Sequence, residues 1–387
     1  MSFWRQLSRP IIGLSPMDGV TDPAFRRVVA THGGPDVIFT EFTHVGDICG
    51  RRNMGWEPLA YSERERPIVA QLYGKEPGLF YQATQVVCEL GFDGVDINMG
   101  CPSKNVAASG SGAALIRTPD LALDIMASTR QAIADWSSGQ TLAQGGVKPS
   151  VIEMTKSMNT KRTGKPQPQT RRNVPLSVKT RLGYDKVVID EWSDCLAQGN
   201  PEVLSIHGRT LAQMYRGEAD WEGIAAAALK IRAKGILVLG NGDIRSLDEA
   251  VWRIQTSSVD GVLIGRGALG NPWIFLKKEA ARQAIQQSTR GLAMEPPIAL
   301  EDRFRMILEH AEVFETLNGK ERFPRMRKHL GWYCTGFPHA AALRANMVRT
   351  TCLQDVEEIL ADYWKCQHGH EEAFPSGLRF QSTGSSC

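Results

Sequence analysis

The chain has 387 residues, of which 42% are apolar and 22% charged, and its formal net charge is +3. This length predicts one large domain or two ordinary ones, and the near balance of charge does not by itself indicate a nucleic-acid partner. The first ten residues lack the apolar segment of a secretion signal, and no run approaches membrane-spanning length. The eight cysteines have no repeating spacing, so we expect reduced thiols in a cytoplasmic protein without a membrane partner.

Short apolar runs alternate with longer amphipathic segments over residues 1–290. Eight runs predict strands, at residues 11–15, 37–40, 68–72, 94–97, 176–179, 203–206, 236–239 and 261–264. Helical patterns fill the gaps at residues 23–32, 78–90, 118–136, 187–198, 221–234 and 246–256, whereas the gap between the second and third strands is unclear. The alternation predicts a parallel sheet, and eight units predict a closed (β/α)₈ TIM barrel of class α/β rather than an open doubly wound sheet.

A cysteine loop follows the fourth predicted strand. The apolar run ends at Asp96 and Asn98, and Cys101 follows in a tight turn that contains glycine and proline. A cysteine in such a loop is a candidate acid, nucleophile or ligand, although a small buried side chain in a turn is an equally good interpretation of it alone.

Polar or functional residues also stand at the carboxyl ends of the other predicted strands. They are Met17, Glu41, Gln71, Asn98, Lys179, His207, Asn241 and Arg266. In a TIM barrel these ends meet on one face, which carries the chemistry.

The segment 139–174 is too long for an ordinary connection within a barrel. It is rich in Gly, Ser, Gln and Pro, and its only acidic residue is Glu153. Its seven basic residues are Lys148, Lys156, Lys161, Arg162, Lys165, Arg171 and Arg172. We expect a basic, flexible insertion, and the alternative is an extra arm that binds the RNA backbone.

A small all-helical bundle is predicted after the barrel, at residues 298–366. Its amphipathic segments lie at 301–317, 323–334, 338–346 and 353–364, and a polar tail follows at 367–387. Basic residues such as Arg325, Arg327, Lys328 and Arg344 alternate here with aromatic ones. An ordinary charged helix face would also show this pattern, but after such a barrel we expect a tRNA-binding surface that includes these four residues. The run Cys366-x-His368-x-His370 offers too few ligands for a metal site, and no metal is predicted.

The pattern Gly265-x-Gly267-x-x-Gly270 resembles a dinucleotide fingerprint but stands in the wrong place. That fingerprint should follow the first strand of a βαβ unit, whereas this one follows the last predicted strand. It fits a phosphate cradle better, since backbone N–H groups and a helix N-terminus can bind an anion.

Taken together, several motifs resemble those of the tRNA-dihydrouridine synthases, flavin enzymes that reduce uridine in tRNA. The motifs are Ser15-Pro16-Met17-Asp18-Gly19-Val20-Thr21-Asp22, Cys101-Pro102-Ser103-Lys104 with Gly-Ser-Gly at 110–112, and segments 176–183, 206–210, 240–243 and 265–270. The resemblance extends from about Pro10 to about Tyr363. It implies FMN as the cofactor, NADPH or NADH as the reductant and tRNA as the partner. We expect a monomer.

The resemblance also assigns roles residue by residue. Cys101 matches the proton donor to uracil C5, with hydride from reduced FMN going to C6. Pro16 and Met17 match backbone contacts to the flavin, and the side chains that match those holding FMN are Gln71, Lys179 and His207. The residues that match the ribityl-phosphate site are Asn241, Gly242, Asp243, Gly265 and Arg266. Asn98 and Arg209 match polar residues that face the base. Asp18 replaces a small residue in its motif, and we expect this to be tolerated because the backbone makes the contact.

Two other functions remain open at this stage. One is a flavin barrel that acts on a free pyrimidine, similar to dihydroorotate dehydrogenase; the basic bundle argues against it because a small substrate needs no such surface. The other is a tRNA-binding protein without catalysis, against which the intact Cys101, Lys179 and His207 argue.

Overall fold

The computed structural model describes residues 2–50, 55–168, 170–289 and 297–368. Its strands are β1 (Ile11–Leu14), β2 (Ile38–Phe39), β3 (Thr43–His44), β4 (Ile68–Tyr73), β5 (Gly94–Met99), β6 (Leu176–Gly183), β7 (Val203–Thr210), β8 (Leu237–Asn241) and β9 (Gly261–Ile264). All pairings are parallel; β1 pairs with β2 and β9, and β2 also pairs with β4, which closes the sheet. The predicted TIM barrel is confirmed, and the short β3 is an additional strand beside β4.

The helices of the barrel unit surround this sheet. They are α1 (Phe3–Gln6), α2 (Pro23–His32), α3 (Val45–Ile48), α4 (Pro77–Glu89), α5 (Lys104–Ala108), α6 (Pro119–Ser137), α7 (Pro149–Thr163), α8 (Ile189–Gln198), α9 (Trp221–Ala233), α10 (Leu247–Ser257) and α11 (Lys278–Gln286). Local sequence sets their starts: Asp22 caps α2 by accepting from the Phe25 N–H, with Pro23 as the first helical residue. In the described chain, no helix is both long and apolar enough to cross a membrane.

An apolar cluster fills the amino-terminal end of the barrel. Its fully or almost fully buried members are Trp4, Ile11, Val37, Phe39, Val69, Val203, Leu237, Leu239 and Leu263. Trp4 comes from α1, so a short helix before the first strand contributes an indole to the barrel floor. Burying large side chains on this scale is a main source of the stability of the barrel.

Segment 139–174 differs from the flexible loop that its composition predicts. It contains α7, of which Val151, Thr155 and Asn159 are buried. The Asn159 Nδ2 donates to the carbonyl of Glu89 at 2.8 Å, and Arg162 donates to that of Leu90 at 2.7 Å. These carbonyls lie at the carboxyl end of α4, where backbone carbonyl groups have no N–H donor within the helix. The segment is therefore held by groups that α4 leaves without partners.

Five of the seven basic residues in this segment have partners within the barrel unit. The contacts are Lys148 with the Gly50 carbonyl, Lys156 with Glu153, Arg162 with Glu63, Arg171 with the Trp136 carbonyl and Arg172 with Asp93. Lys161 and Lys165 are exposed. These contacts leave less charge for an RNA arm than the sequence alone indicates.

The second compact unit contains segment 268–273 and the four helices α12 (Leu300–Asn318), α13 (Arg327–Tyr333), α14 (Ala340–Met347) and α15 (Leu353–His368). A 3₁₀ turn over Lys320–Met326 precedes α13. Gly270 has a φ of +67°, and a Cβ there would lie 2.2 Å from the Trp332 carbonyl oxygen. This close approach to α13 requires a glycine here, and the phosphate cradle that the 265–270 pattern indicates stays a prediction.

Some predictions fall on residues that the structure does not describe. Residues 369–387 of the predicted tail lie outside the described residues, as does His370 of the Cys366-x-His368-x-His370 run. Over the described part of the chain, no group of three or more His, Cys, Asp or Glu residues could hold a metal ion.

Candidate active site

The barrel brings the predicted polar residues together at its carboxyl end. Successive residues of a strand point to opposite sides, so every second side chain faces the barrel interior. The register sets residues of neighbouring strands beside one another: Gln71 with Asp96, Asn98 with Lys179, Lys179 with Ser205, Arg181 with His207, and His207 with Asn241. Eight polar side chains from five strands are thus brought together at the end of the barrel that carries the cysteine loop.

The loop that carries Cys101 is fixed by Asn98. The Asn98 Oδ1 accepts from the N–H of Gly100 at 3.0 Å and from that of Cys101 at 2.8 Å. On the other side, the Arg181 Nε donates to the Gly100 carbonyl at 2.6 Å. The loop therefore has little freedom, and Cys101 is held with 8% of its surface exposed.

The surroundings of Cys101 favour the protonated thiol. Burial is the main reason that the pKa of Cys101 is raised, and Asp18 adds to the effect. The N–H of Ser103, Arg181 and Lys179 act in the opposite direction. A thiol that stays protonated at neutral pH can act as an acid.

A row of polar groups connects Asn98 to the barrel interior. The Asn98 Nδ2 donates to the Gln71 Oε1 at 2.9 Å, and the Gln71 Nε2 donates to the Asp96 Oδ2 at 2.7 Å. The other oxygen of Asp96 accepts from the Ser177 hydroxyl at 2.6 Å. Burial raises the pKa of Asp96 to about 6, although Ser177, Gln71 and Lys179 favour its charged form.

Cations surround His207. Burial, followed by Arg181, Lys179, Arg209 and Arg266, lowers its pKa well below the ordinary value, so the imidazole is neutral at neutral pH. Burial and Arg181 also lower the pKa of Lys179 to about 8. Mutual repulsion of this kind is relieved when an anion binds, so the site is suited to a negatively charged ligand.

Asp243 joins two of these cations. It accepts from Arg209 at 3.0 and 2.5 Å and from Arg266 at 2.8 Å. The remaining contacts of Arg209 are with the carbonyls of Arg216 and Gly217, and its side chain is 2% exposed. We predicted that Arg209 faces the base, but these contacts are those of a residue that holds Asp243 and the 211–217 loop.

The ends of β1 and β9 place Met17 beside Gly265. A Cβ on Gly265 would lie 3.3 Å from the Met17 sulfur. The Met17 N–H donates to the Thr21 hydroxyl at 3.0 Å, so the Pro16–Met17 backbone is part of a fixed turn. Asp18 is exposed in this turn.

The residues at this end of the barrel fit FMN. The Ser205 Oγ and the His207 Nδ1 are buried and have no hydrogen-bond partner among the described residues, so each is available to a polar ligand. Gly242 has a φ of +133°, and a Cβ there would lie 2.7 Å from the Ala219 Cβ and 3.7 Å from the His207 Nε2. The Asn241 Nδ2 donates to the Leu263 carbonyl at 2.8 Å, which fixes the start of this turn.

Sequence reasoning missed several residues of the site. Asp96, Ser177 and Arg181 lie in or beside the motifs but were not assigned a role. Burial and then Asp22 raise the pKa of Glu41, just after β2, to about 7. Its position at the end of a strand was the available signal, and only the structure gives its burial.

The four bundle residues predicted to bind tRNA differ in their contacts within their own unit. The Arg327 Nε donates to the Thr350 carbonyl at 2.7 Å, and the Arg344 Nε donates to that of Cys334 at 3.3 Å. Arg325 and Lys328 are exposed. Arg327 therefore stabilises the unit itself, whatever else it binds.

The comparisons with known proteins agree with the motifs. The sequence model described as dihydrouridine synthase (Dus) matches residues 13–137 and 167–367, and leaves 138–166, which contain α7, unmatched. A probable tRNA-dihydrouridine synthase 2 from Bacillus subtilis (strain 168) is 34% identical over 371 residues, covering 94% of this chain and 96% of the relative. A probable tRNA-dihydrouridine synthase from Staphylococcus aureus (strain MRSA252) is 32% identical, with 94% and 95% covered. The chain therefore belongs to the dihydrouridine synthase family and is an oxidoreductase of that family.

Proposed function

We propose that this protein is a tRNA-dihydrouridine synthase that reduces the C5=C6 bond of uridine in tRNA, with FMN as cofactor and NADPH or NADH as reductant. The observation that carries the proposal is the position of Cys101. Its thiol is buried in a fixed loop and counts Lys179 and Arg181 among the charges that act on it. A hydride transfer to one carbon of a double bond needs a proton for the other carbon, and a fixed, protonated thiol can supply that proton.

Uracil needs two groups for this reduction, because its C5=C6 bond is conjugated with the C4 carbonyl. Bound FMN supplies the hydride, which no side chain can do. The Cys101 thiol donates its proton to C5, and a positioned acid of this kind contributes a factor of about 10²–10⁴. Its raised pKa keeps the proton on sulfur until the carbanion forms.

The other residues hold the cofactor. Lys179 balances negative charge on the flavin ring, and Gln71 and His207 offer polar contacts to it. Backbone N–H groups of Gly242, Asp243, Gly265 and Arg266 bind the phosphate, with the Arg266 guanidinium beside them. Asp243 fits this role although it is acidic, because Arg209 and Arg266 neutralise its carboxylate.

The tRNA substrate is supported by the names of the relatives and by the basic helical unit. A uridine in folded tRNA must leave its stack to reach the barrel, at a cost of a few kcal/mol. We propose that Arg325, Lys328 and Arg344 contact phosphates and supply part of this free energy. A protein with this substrate works in the cytoplasm.

One experiment tests the proposal directly. The purified protein should show flavin absorbance, and with NADPH it should form dihydrouridine in unmodified tRNA but not reduce free uracil or orotate. Bound flavin with activity only on the free pyrimidines would favour the alternative enzyme. Absence of flavin with retained tRNA affinity would favour a binding protein.

A further inference from the structure

The row of polar groups from Asp96 to the Cys101 loop runs in one direction. Each donor points toward Asp96: the Cys101 N–H to Asn98, the Asn98 amide to Gln71, and the Gln71 amide to the Asp96 carboxylate. The distances are 2.8, 2.9 and 2.7 Å. We call Asp96, Gln71, Asn98 and the N–H groups of Gly100 and Cys101 the amide row.

The groups at the two ends of the amide row fix the orientation of the two side-chain amides between them. An ionised carboxylate can only accept hydrogen bonds, and a backbone N–H can only donate one. A side-chain amide has one face of each kind and can be turned over. With an acceptor at one end and donors at the other, Gln71 and Asn98 each have a single orientation in which every bond is made.

We propose that Asp96 is a positioning residue that sets the donor–acceptor direction of the amide row, and thereby presents the Asn98 oxygen that holds the Cys101 loop. This inference rests on the proposed function, in which Cys101 is the acid. Asp96 acts through Gln71 in this role, because its two carboxylate oxygens accept from Gln71 and Ser177.

The burial of Asp96 supports a role beyond packing. A carboxylate that is 0% exposed is costly, and replacing such a group by an apolar residue of similar size often leaves a protein as stable or makes it more so. The pKa of Asp96 is raised to about 6, so it is charged at neutral pH in spite of its burial. A position selected for packing alone would favour leucine over aspartate.

The first test compares two substitutions of Asp96. Asp96→Asn keeps an acceptor for Gln71 while its amide donates to Ser177, so it should stay within about threefold of wild type. Asp96→Leu removes the acceptor and should raise the rate of Cys101 alkylation by iodoacetamide and lower tRNA reduction, each about tenfold, as for one lost hydrogen bond. Ser193→Ala, which removes a side-chain bond to the Asp190 carbonyl within α8 and away from the amide row, is the control.

The second test moves the carboxylate along the amide row. Asn98→Asp sets two acceptors on either side of Gln71, so it should lower the unfolding temperature and disturb the loop. Asp96→Asn combined with Asn98→Asp lets Gln71 turn over and restores every bond: the two bonds of Gln71 are reversed, and the backbone N–H groups still donate to residue 98. The double variant should therefore be closer to wild type than Asn98→Asp, a departure from additivity.

The outcomes separate a positioning role from a structural one. Alkylation of Cys101, followed by peptide mass spectrometry on the holoenzyme, needs neither turnover nor tRNA. Equal alkylation and activity in Asp96→Leu and Asp96→Asn would overturn the proposal. The proposal would also be overturned if the double variant matched Asn98→Asp in unfolding temperature and in Cys101 alkylation. This second comparison serves as the test if Asp96→Leu does not fold. If the variants show the expected order of alkylation rates but the wild-type protein reduces no tRNA, the role of Asp96 stands and the proposed function is wrong.

Discussion

The two ends of the barrel are built on opposite principles. The floor is an apolar cluster around Trp4, in which every member is almost completely buried. The carboxyl end contains buried polar and charged groups, among them Asp96, Lys179 and His207, and two buried polar atoms there have no partner among the described residues. The same strands supply both ends, since Val69 and Gln71 lie on β4, and Val203 and His207 on β7.

The difference separates stability from chemistry. Apolar side chains at the floor stabilise the fold without any directional requirement. Charges that repel one another at the other end cost stability and become favourable only when a ligand binds. Substitutions at the floor should therefore change the unfolding temperature, and those at the carboxyl end should change function.

The largest functional effect is expected for Cys101→Ala. Loss of the acid should lower tRNA reduction by about 10²–10⁴ while flavin content and unfolding temperature stay near wild type. The measurement is dihydrouridine formed per enzyme, with Cys366→Ala on the exposed face of α15 as a control. Near wild-type turnover in Cys101→Ala would remove the cysteine from the mechanism.

The largest effect on stability is expected for Trp4→Ala. Removing the indole leaves a cavity in the floor and should cost about 3–5 kcal/mol in the free energy of unfolding. Denaturant unfolding measures this, and the folded fraction should reduce tRNA at a normal rate. A specific loss of flavin from the folded variant would contradict the separation of the two ends.

Weaker flavin binding is the next expected effect, in Lys179→Ala and His207→Ala. Each removes a ring contact, so we expect about a tenfold rise in the dissociation constant, as for one charged or buried hydrogen bond. Fluorescence titration of the apoprotein with FMN measures it, with Lys230→Ala on exposed α9 as the control. Because burial lowers the pKa of Lys179 to about 8, its contribution should fade as the pH rises through that value.

A smaller effect tests whether α7 belongs to the stable part of the barrel unit. Asn159→Ala leaves the Glu89 carbonyl without its donor and should cost about 1–3 kcal/mol in the free energy of unfolding. Lys161→Ala, on the exposed side of the same helix, is the matched control. A flexible insertion, as the composition predicts, would make neither substitution change the free energy of unfolding. Equal free energies of unfolding in the two variants would therefore show that α7 does not stabilise the barrel unit.

The smallest effect concerns the helical unit. Arg325→Gln with Lys328→Gln should weaken tRNA binding and reduce the slope of log affinity against log salt by about one per lost phosphate contact. Arg327→Gln should instead lower the stability of the unit, because its Nε donates to the Thr350 carbonyl. Binding measured at several salt concentrations checks this, and NADPH-driven flavin reduction should stay normal in both variants.

The barrel, the loop that carries Cys101 and the face on which the polar residues meet can all be predicted from the amino-acid sequence. These follow from local patterns: apolar runs of strand length, glycine and proline in turns, and the fixed relation between a strand end and the barrel face. The same patterns predict that Lys179, His207 and Asn241 stand at the carboxyl ends of consecutive strands.

Only the tertiary structure decided which polar groups are buried together. The contacts of Arg209 with Asp243, of Asn159 with α4 and of Gly270 with α13 join residues remote in sequence, and no local pattern specifies such partners. The direction of the amide row has the same origin. It depends on a buried carboxylate on β5, an amide on β4 and a loop N–H, whose donors and acceptors become obligatory partners only where water is excluded.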